Sequence, residues 1–252
     1  MSTEIRIDEE LDVENPLIIE GLAGIGHVGR NCVSYLADNL EAESIGIIDS
    51  HHFPPYTIVE DDKSLTPLQN QIYKLNVDGR DIIMIEGNAQ ASSAEGHYEI
   101  AYEVLDFAEE IGAEEIITIG GYGKGDVVEN PDVLGAVTDS EIKENYFDYG
   151  INFDHDVGQI VGISGLLLGL GKRKGIEGIA LLGETPGFLM SDPKSTEAVL
   201  QVMEKILEID LDYSDLDEKV EESQEVLKKL QNLKGSQDAE DQQQSSDLGY
   251  IG

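Results

Sequence analysis

A glycine-rich segment near the start of the chain has the spacing of a nucleotide-binding loop. Gly24, Gly26 and Gly29 form a G-x-G-x-x-G pattern between an apolar run at residues 17–20 and a helical pattern. Such a loop would present backbone N–H groups and the positive end of a helix to a pyrophosphate. Asp49, 20 residues beyond Gly29, stands where an acid that binds ribose is expected. These residues raise the hypothesis of a nucleotide-binding enzyme.

The surrounding sequence favours a structural role for the same glycines. Gly21 directly follows the apolar run, so the loop is longer than a tight dinucleotide turn. After Asp49 the chain enters an irregular section, residues 51–76, instead of a helix that returns to a third parallel strand. No Lys-His, Ser-Tyr-Lys or Cys site suited to hydride transfer is recognisable. The glycines would then turn the chain and let the helix approach the sheet closely.

Histidines and a serine provide weaker candidates. His51 and His52 beside Asp49, and the segment 154–156, carry side chains that can bind metals. Neither group has the i, i+4 helical pair or the Cys/His spacing of a zinc site. Ser164 lacks the complete G-x-S-x-G pattern of a hydrolase nucleophile. These residues are therefore not assigned to catalysis or to metal binding.

The loop Glu184–Gly187 follows the last predicted central strand, at the strand end where α/β proteins tend to bind ligands. Glu184 has no evident acid–base partner, and Tyr122 is more typical of a core or interface aromatic residue. The sequence therefore predicts no catalytic residue, no cofactor and no metal site. An enzyme that binds a nucleotide or a small acid through Gly24–Gly29 and Glu184–Gly187 remains the alternative interpretation.

The elements that would position these residues follow an α/β pattern. Short apolar runs, typical of buried strands, alternate with longer helical patterns. Residues 56–59 and 71–75 are predicted to form an antiparallel hairpin inserted into the sheet. The segment Gly165–Gly171 predicts a glycine-rich helix that packs tightly on the sheet. Strands are predicted at residues 17–20, 45–48, 82–85, 116–119 and 178–182, the last of them in the centre of the sheet.

Three helix starts have recognisable signals. Ser92 and Glu95 have the spacing of a capping box, as do Thr138 and Glu141. Asp192 followed by proline predicts a helix that begins with a side-chain cap. Each signal places the helix start at one residue, which a structure can test.

The C-terminal part of the chain changes in character from about residue 213. Apolar residues at a 3–4 spacing, from Leu216 to Leu233, predict a helix that packs on a partner surface. The polar stretch after Gly235 has the composition of a disordered tail. We therefore expect an α/β domain over residues 1–212, a helical appendage over 213–235 and a tail over 236–252.

The charge of the chain limits its partners. Fifty-two Asp and Glu residues against 16 Lys and Arg residues give a formal net charge of −36. Such a surface repels nucleic-acid phosphates and anionic membranes, so neither is an expected partner. Concentrated salt would screen the self-repulsion, which suggests a salt-rich cytoplasm such as that of a halophilic microbe. Cys32, a lone cysteine on the apolar face of a predicted helix, fits a buried position in a reducing cytoplasm.

Two pairs of segments make the chain resemble the archaeal proteasome assembly chaperone family. The first pair is Gly162–Gly171 and Leu181–Gly187, and the second is Glu20–Gly26 and Gly120–Gly123. The resemblance covers about residues 5 to 210. It implies a three-layer α/β/α sandwich around a mixed, mostly parallel sheet, phosphorylase/hydrolase-like in arrangement, with no established catalysis.

The same resemblance implies a homo-oligomer and a protein partner. Some family members engage the proteasome α-ring through C-termini in which Tyr is the penultimate residue. Here Tyr250 is the third residue from the end, one place off that pattern. An assembly chaperone or adaptor for the proteasome is thus the leading hypothesis, and a scaffold oligomer without a proteasome link is a third.

The end of the tail also suggests docking on physical grounds. Leu248, Tyr250 and Ile251 are unusual in a polar tail, and Gly252 adds a free carboxylate. An aromatic side chain next to a carboxylate suits a pocket that contains a basic residue. The 17 residues after Gly235 would span roughly 20–25 Å as a flexible chain. These four residues are the predicted partner-binding site.

Overall fold

The computed structural model describes residues 3–8, 10–220 and 223. The chain divides into two units, Met1–Asp212 and Tyr213–Gly252, each of which is described by itself. In the second unit, residues 214–220 are helical. The rest of the predicted seam, including Leu227, Leu230 and Leu233, lies outside the described residues, as does the whole tail 236–252.

The first unit is built on an eight-stranded mixed sheet. Four adjacent strands, β7, β2, β8 and β10, run parallel and form its centre. The strand order is β1-β3-β6-β7-β2-β8-β10-β9, with antiparallel pairs at both sides of the parallel core. The strands are β1 (Thr3–Ile7), β2 (Leu17–Leu22), β3 (Glu43–Ser50), β6 (Asn70–Val77), β7 (Arg80–Gly87), β8 (Glu115–Gly123), β9 (Val133–Val137) and β10 (Glu177–Thr185).

Helices cover both faces of this sheet. α1 (Val28–Asn39) and α4 (Pro193–Leu207) pack together on one face, and α2 (Ala94–Glu110) and α3 (Ile163–Lys174) pack together on the other. Short 3-10 segments cover Ile25–His27 and Ser140–Tyr149. The central strands are buried on both faces, which explains their continuous apolar runs. The predicted three-layer sandwich is confirmed, and five of the eight strands run in one direction.

The five predicted strands are confirmed, and the predicted hairpin is partly wrong. Residues 45–48 belong to β3, which lies second from the edge of the sheet and not in its parallel centre. The described structure forms a separate two-stranded ribbon from β4 (Thr57–Val59) and β5 (Leu65–Pro67). β6 instead pairs with β3 and β7 inside the main sheet. The edge strands β1 and β9 are not among the predicted strands.

Helix starts were predicted with mixed success. Asp192 caps α4 as predicted, because its side chain accepts the N–H groups of Lys194 and Ser195. The capping box at Ser92 is wrong by one residue, since Ser93 caps α2. The box at Thr138 is also wrong. Asp139 caps the 3-10 segment, and the Thr138 hydroxyl accepts a hydrogen bond from the N–H of Gly178 instead.

The glycine-rich helix is confirmed as α3, which contacts β8 and β10. Across residues 3–8 and 10–220, no helix is long and apolar enough to cross a membrane.

Candidate functional site at the carboxyl end of the sheet

The two loops singled out in the sequence meet in the structure. Both lie at the carboxyl ends of parallel strands, the first after β2 and the second after β10. Gly26 packs against the side chain of Thr185. The carbonyl oxygen of Gly26 accepts the N–H of Asp192 at 2.8 Å, which ties the first loop to the start of α4. The junction is therefore held together by backbone contacts.

The glycines of this region allow the backbone to pack at close range. A Cβ on Gly29 would overlap the carbonyl oxygen of Ile119, and one on Gly21 would overlap that of Gly29. Gly121 has the same relation to the carbonyl oxygen of Ile25. The chain itself occupies the surface of β8 at this point. The structural interpretation of the glycine pattern is thus supported by direct contacts.

Asp49 does not lie where a ribose-binding acid would lie. It is the penultimate residue of β3, and β6 and β7 separate that strand from β2. In a dinucleotide-binding fold the second strand is the neighbour of the first. The Asp49 carboxylate instead forms an ion pair with Arg6 of β1. The assignment of Asp49 as a ribose-binding acid is therefore wrong, because residues 51–76 insert β6 into the sheet.

Glu184 is held in a local network. Its carboxylate forms an ion pair with Lys124 at 2.7 Å and accepts the N–H of Asp132 at 3.4 Å. Hydrogen bonding and attraction by Glu184 raise the pKa of Lys124 above its usual range. This pair joins the loop after β8 to the end of β10. Glu184 thus has a structural role, since it links the end of β10 to Lys124 after β8 and to Asp132 before β9.

A buried carboxyl group on the opposite face of the sheet was missed in the sequence. Glu20 of β2 is 1% exposed, and burial raises its pKa from 4.5 to about 8. The Ser164 hydroxyl, at the start of α3, donates to Glu20 Oε1 at 3.2 Å. Oε2 and the neighbouring Thr118 hydroxyl have no hydrogen-bond partner among the described residues. Glu20 is therefore protonated at neutral pH. In the sequence, the acidic residue that directly follows the apolar run 17–19 of a buried strand is the feature that could have predicted a buried carboxyl group.

Gln90 joins the first loop to α3. Its amide donates to the carbonyl oxygen of Ala23 at 2.8 Å and accepts the N–H of Ile163 at 3.2 Å. Gly162 before the helix has a φ of 98°, which favours glycine, and it packs against the Gln90 side chain. The segments 20–26 and 162–171 of the family resemblance thus meet through Gln90 and Glu20. The resemblance reflects packing at this end of the sheet.

The histidine candidates have other partners. His52 Nε2 contacts Glu99 Oε2 at 3.0 Å, on the second turn of α2. His155 Nε2 contacts the carbonyl oxygen of Gly135, and its Nδ1 accepts the N–H of Val157, which fits one neutral tautomer. In the part of the chain that the structure describes, no three His, Cys, Asp or Glu residues are grouped to hold a metal ion.

Cys32 and Tyr122 lie where the sequence predicts. Cys32 is fully buried, its thiol contacts the carbonyl oxygen of Thr196 at 3.5 Å, and burial raises its pKa. Tyr122 is partly buried against the core under α2 and α3. Both are structural residues.

Apolar side chains are exposed on the loops around this end of the sheet. Val161 is 80% exposed and Met190 is 82% exposed, and Ile25 and Phe188 are about half exposed. Ile25 and Gly187 both pack against Gly123, which brings two of these loops side by side. Exposed apolar loops are typical of a surface that binds another protein. The predicted tail site, Leu248 and Tyr250–Gly252, lies outside the described residues.

Comparison with known proteins identifies relatives over nearly the whole chain. The chain is 35% identical to the uncharacterized protein MJ1210 of Methanocaldococcus jannaschii, over 95% of this chain and 93% of the relative. The crystal structure of Pyrococcus furiosus PbaB, an archaeal proteasome activator, matches with a TM-score of 0.86 and 36% identity. That match covers 91% of this chain and 99% of PbaB.

A second P. furiosus structure, PbaA, an archaeal homolog of proteasome-assembly chaperone, has a TM-score of 0.77 and 26% identity. It covers 99% of this chain and 100% of PbaA. The model of the PAC2 family matches residues 18–231. The chain belongs to the PAC2 family.

Proposed function

We propose that this protein acts in the cytoplasm as a proteasome assembly chaperone or proteasome-binding adaptor, without catalysis of its own. The observation that carries the proposal is the likeness to PbaB, an archaeal proteasome activator, at 36% identity and a TM-score of 0.86. The glycine loop is filled by its own backbone, and Glu184 is paired with Lys124, so neither favours an enzymatic alternative. The exposed apolar loops at the carboxyl end of the sheet offer a binding surface.

The proposal includes a homo-oligomer that displays several C-terminal tails. Leu248, Tyr250, Ile251 and the carboxylate of Gly252 would dock on the proteasome α-ring. One short peptide contact is weak, but several tails on one assembly raise the effective concentration at the ring. The tail proposal rests on the sequence of the last residues and on the likeness of the chain to PbaB, an archaeal proteasome activator.

Truncation after Leu248 is expected to abolish capture of the proteasome α-ring. The change removes the aromatic anchor and the terminal carboxylate but no described residue, so the fold and the oligomeric mass should stay unchanged. Tyr250→Ala should weaken capture by at least about 2 kcal/mol, since an aromatic side chain in a pocket is commonly worth that much. Co-sedimentation with assembled α-rings measures capture, and light scattering measures the mass.

Two further variants separate the parts of this contact. One residue added after Gly252 should weaken capture if the carboxylate is recognised, whereas an apolar contact alone would tolerate it. Deletion of Ile251 moves Tyr250 to the penultimate place and tests the register. If truncated and full-length protein recovered the ring equally, the tail would not be the docking element. If neither recovered the ring, the proteasome would not be the partner.

The protein is also expected to depend on salt. With 16 Lys and Arg residues against 52 acids, most carboxylates have no cation to pair with. Lowering the salt from about 1 M to about 0.1 M lengthens screening from about 3 Å to about 10 Å, which increases the self-repulsion. Loss of structure or of assembly should follow, measured by circular dichroism and light scattering. Unchanged signals over that range would contradict the halophilic origin.

A further inference from the structure

A groove on the first unit lies between the edge strand β1 and helix α2, far along the sheet from β8 and β10. It has a volume of about 740 Å³. Its apolar lining residues, which include Ile5, Ile7 and Phe107, are buried or half-buried, whereas its acidic residues, which include Glu10, Glu103 and Glu110, are mostly exposed. The groove is not used by the function proposed above.

The edge of β1 has unused backbone groups that face away from the sheet. Asp8 donates its N–H to the carbonyl oxygen of Ile45 at 2.9 Å, so Asp8 and Ile45 form a hydrogen-bonded pair of the antiparallel ladder. Such pairs alternate along a strand, so Thr3, Ile5 and Ile7 direct their N–H and C=O groups outward. Among the described residues no group bonds to them. An extended chain can therefore add to β1 as a ninth strand.

The charge around the groove determines which chain fits. Two cations pair with carboxylates in this region, Arg6 with Glu4 and Asp49, and Lys174 with Asp106 and Glu109. The remaining carboxylates have no cation beside them in the described structure. A second copy that paired along β1 would bring the same groove carboxylates, Glu10, Glu103 and Glu110, of the two copies against one another, and they would repel. The tail of the same chain is disfavoured too, because residues 238–247 contain four acidic residues and no basic one.

We propose that the groove between β1 and α2 binds an extended, basic peptide that pairs with the edge of β1. Alternate apolar side chains of the peptide would lie on the floor against Ile5, Ile7 and Phe107, and its Lys or Arg side chains would reach the surrounding carboxylates. The five residues of β1 span about 17 Å, enough for a segment of about five residues. This site is separate from the predicted tail contact and could be occupied at the same time.

The test measures binding of a labelled seven-residue peptide of alternating Lys and Val to the full-length protein by fluorescence anisotropy. The double variant Glu103→Lys with Glu110→Lys reverses two charges on one side of α2. It should weaken binding at least tenfold, whereas Glu144→Lys with Asp148→Lys, on the exposed 3-10 segment, should change it less than twofold. A peptide methylated on every backbone nitrogen should bind at least tenfold more weakly, because it cannot donate to β1 from either edge.

Each other result would overturn the proposal. Equal loss in both double variants would mean non-specific attraction to an acidic surface. Unchanged binding of the methylated peptide would mean that the peptide does not add to the sheet as a strand beside β1. Tighter binding after removal of residues 236–252 would identify the tail as the occupant, and a fall in native mass on adding peptide would identify a second copy.

Discussion

Gly29→Ala is expected to lower the free energy of unfolding by about 3 kcal/mol or more. The added Cβ would overlap the carbonyl oxygen of Ile119, so α1 would have to move away from β8. Backbone atoms cannot move aside as a flexible side chain can. Helix propensity alone predicts the opposite sign, since alanine inside a helix is favoured over glycine by about 1 kcal/mol. Chemical denaturation of the two proteins measures the difference.

Gly169→Ala is the matched control. Gly169 is also inside a helix, α3, but a Cβ there would have open space around it. This variant should be more stable than the parent by about 0.5–1 kcal/mol. If both variants gained stability, the close approach of α1 to the sheet would be refuted. The glycine pattern would then need another explanation, and nucleotide binding would return.

The free energy of unfolding of the parent protein is expected to fall as the pH rises, because Glu20 is buried. Glu20→Gln should remove this part of the pH dependence. Between pH 4.5 and about pH 8 the folded protein keeps the Glu20 proton while the unfolded chain has lost it. The unfolded state therefore binds fewer protons, and the free energy of unfolding falls by up to about 1.4 kcal/mol per pH unit. The stability that protonated Glu20 contributes is fully present below pH 4.5 and is lost by about pH 8. Glutamine cannot ionise and can still accept the Ser164 hydroxyl.

Urea denaturation at several pH values measures the difference between the parent and Glu20→Gln. The difference should grow by a few kcal/mol from the acidic to the basic end of that window, with the variant more stable at the basic end. Glu144→Gln, at an exposed position, should run parallel to the parent and controls for the change in net charge. A constant difference between parent and Glu20→Gln would mean that Glu20 is ionised in the folded protein.

The central strands could be predicted because burial on both faces makes them continuous apolar runs. The edge strands have no such pattern. β1 reads Thr-Glu-Ile-Arg-Ile, with two charged residues in five, and β9 is short and contains a glycine. Their positions are determined by pairing with distant segments, β3 and β10, which a single sequence does not specify. The predicted hairpin was wrong because residues 57–59 pair with the nearby 65–67, while β6 pairs with the more distant β3 and with β7.

The candidate site was predictable in its loops but not in its contacts. The spacing between Gly29 and Asp49 is a distance along the chain, and the insertion of β6 and β7 separates those residues in space. Glu20 meets Ser164 across 144 residues of sequence, and Lys124 meets Glu184 across 60. Only the folded sheet brings these pairs together. Ser92 and Ser93 are adjacent and equally able to cap, so the one-residue error in α2 is of the kind expected at helix ends.

The strand order also has a consequence for how the chain can fold during synthesis. β9 precedes β10 in the chain but lies outside it, so β10 must insert between β8 and β9. Until residue 185 has emerged from the ribosome, the edge of β8 at Ile116–Ile119 lacks its β10 partner, and β9 has only its bridge between Leu134 and Asn152. Parallel pairings between distant segments form slowly, and open apolar edges are prone to aggregate. A nascent chain of this protein therefore carries the apolar edge of β8 unprotected until the residues through Thr185 have emerged.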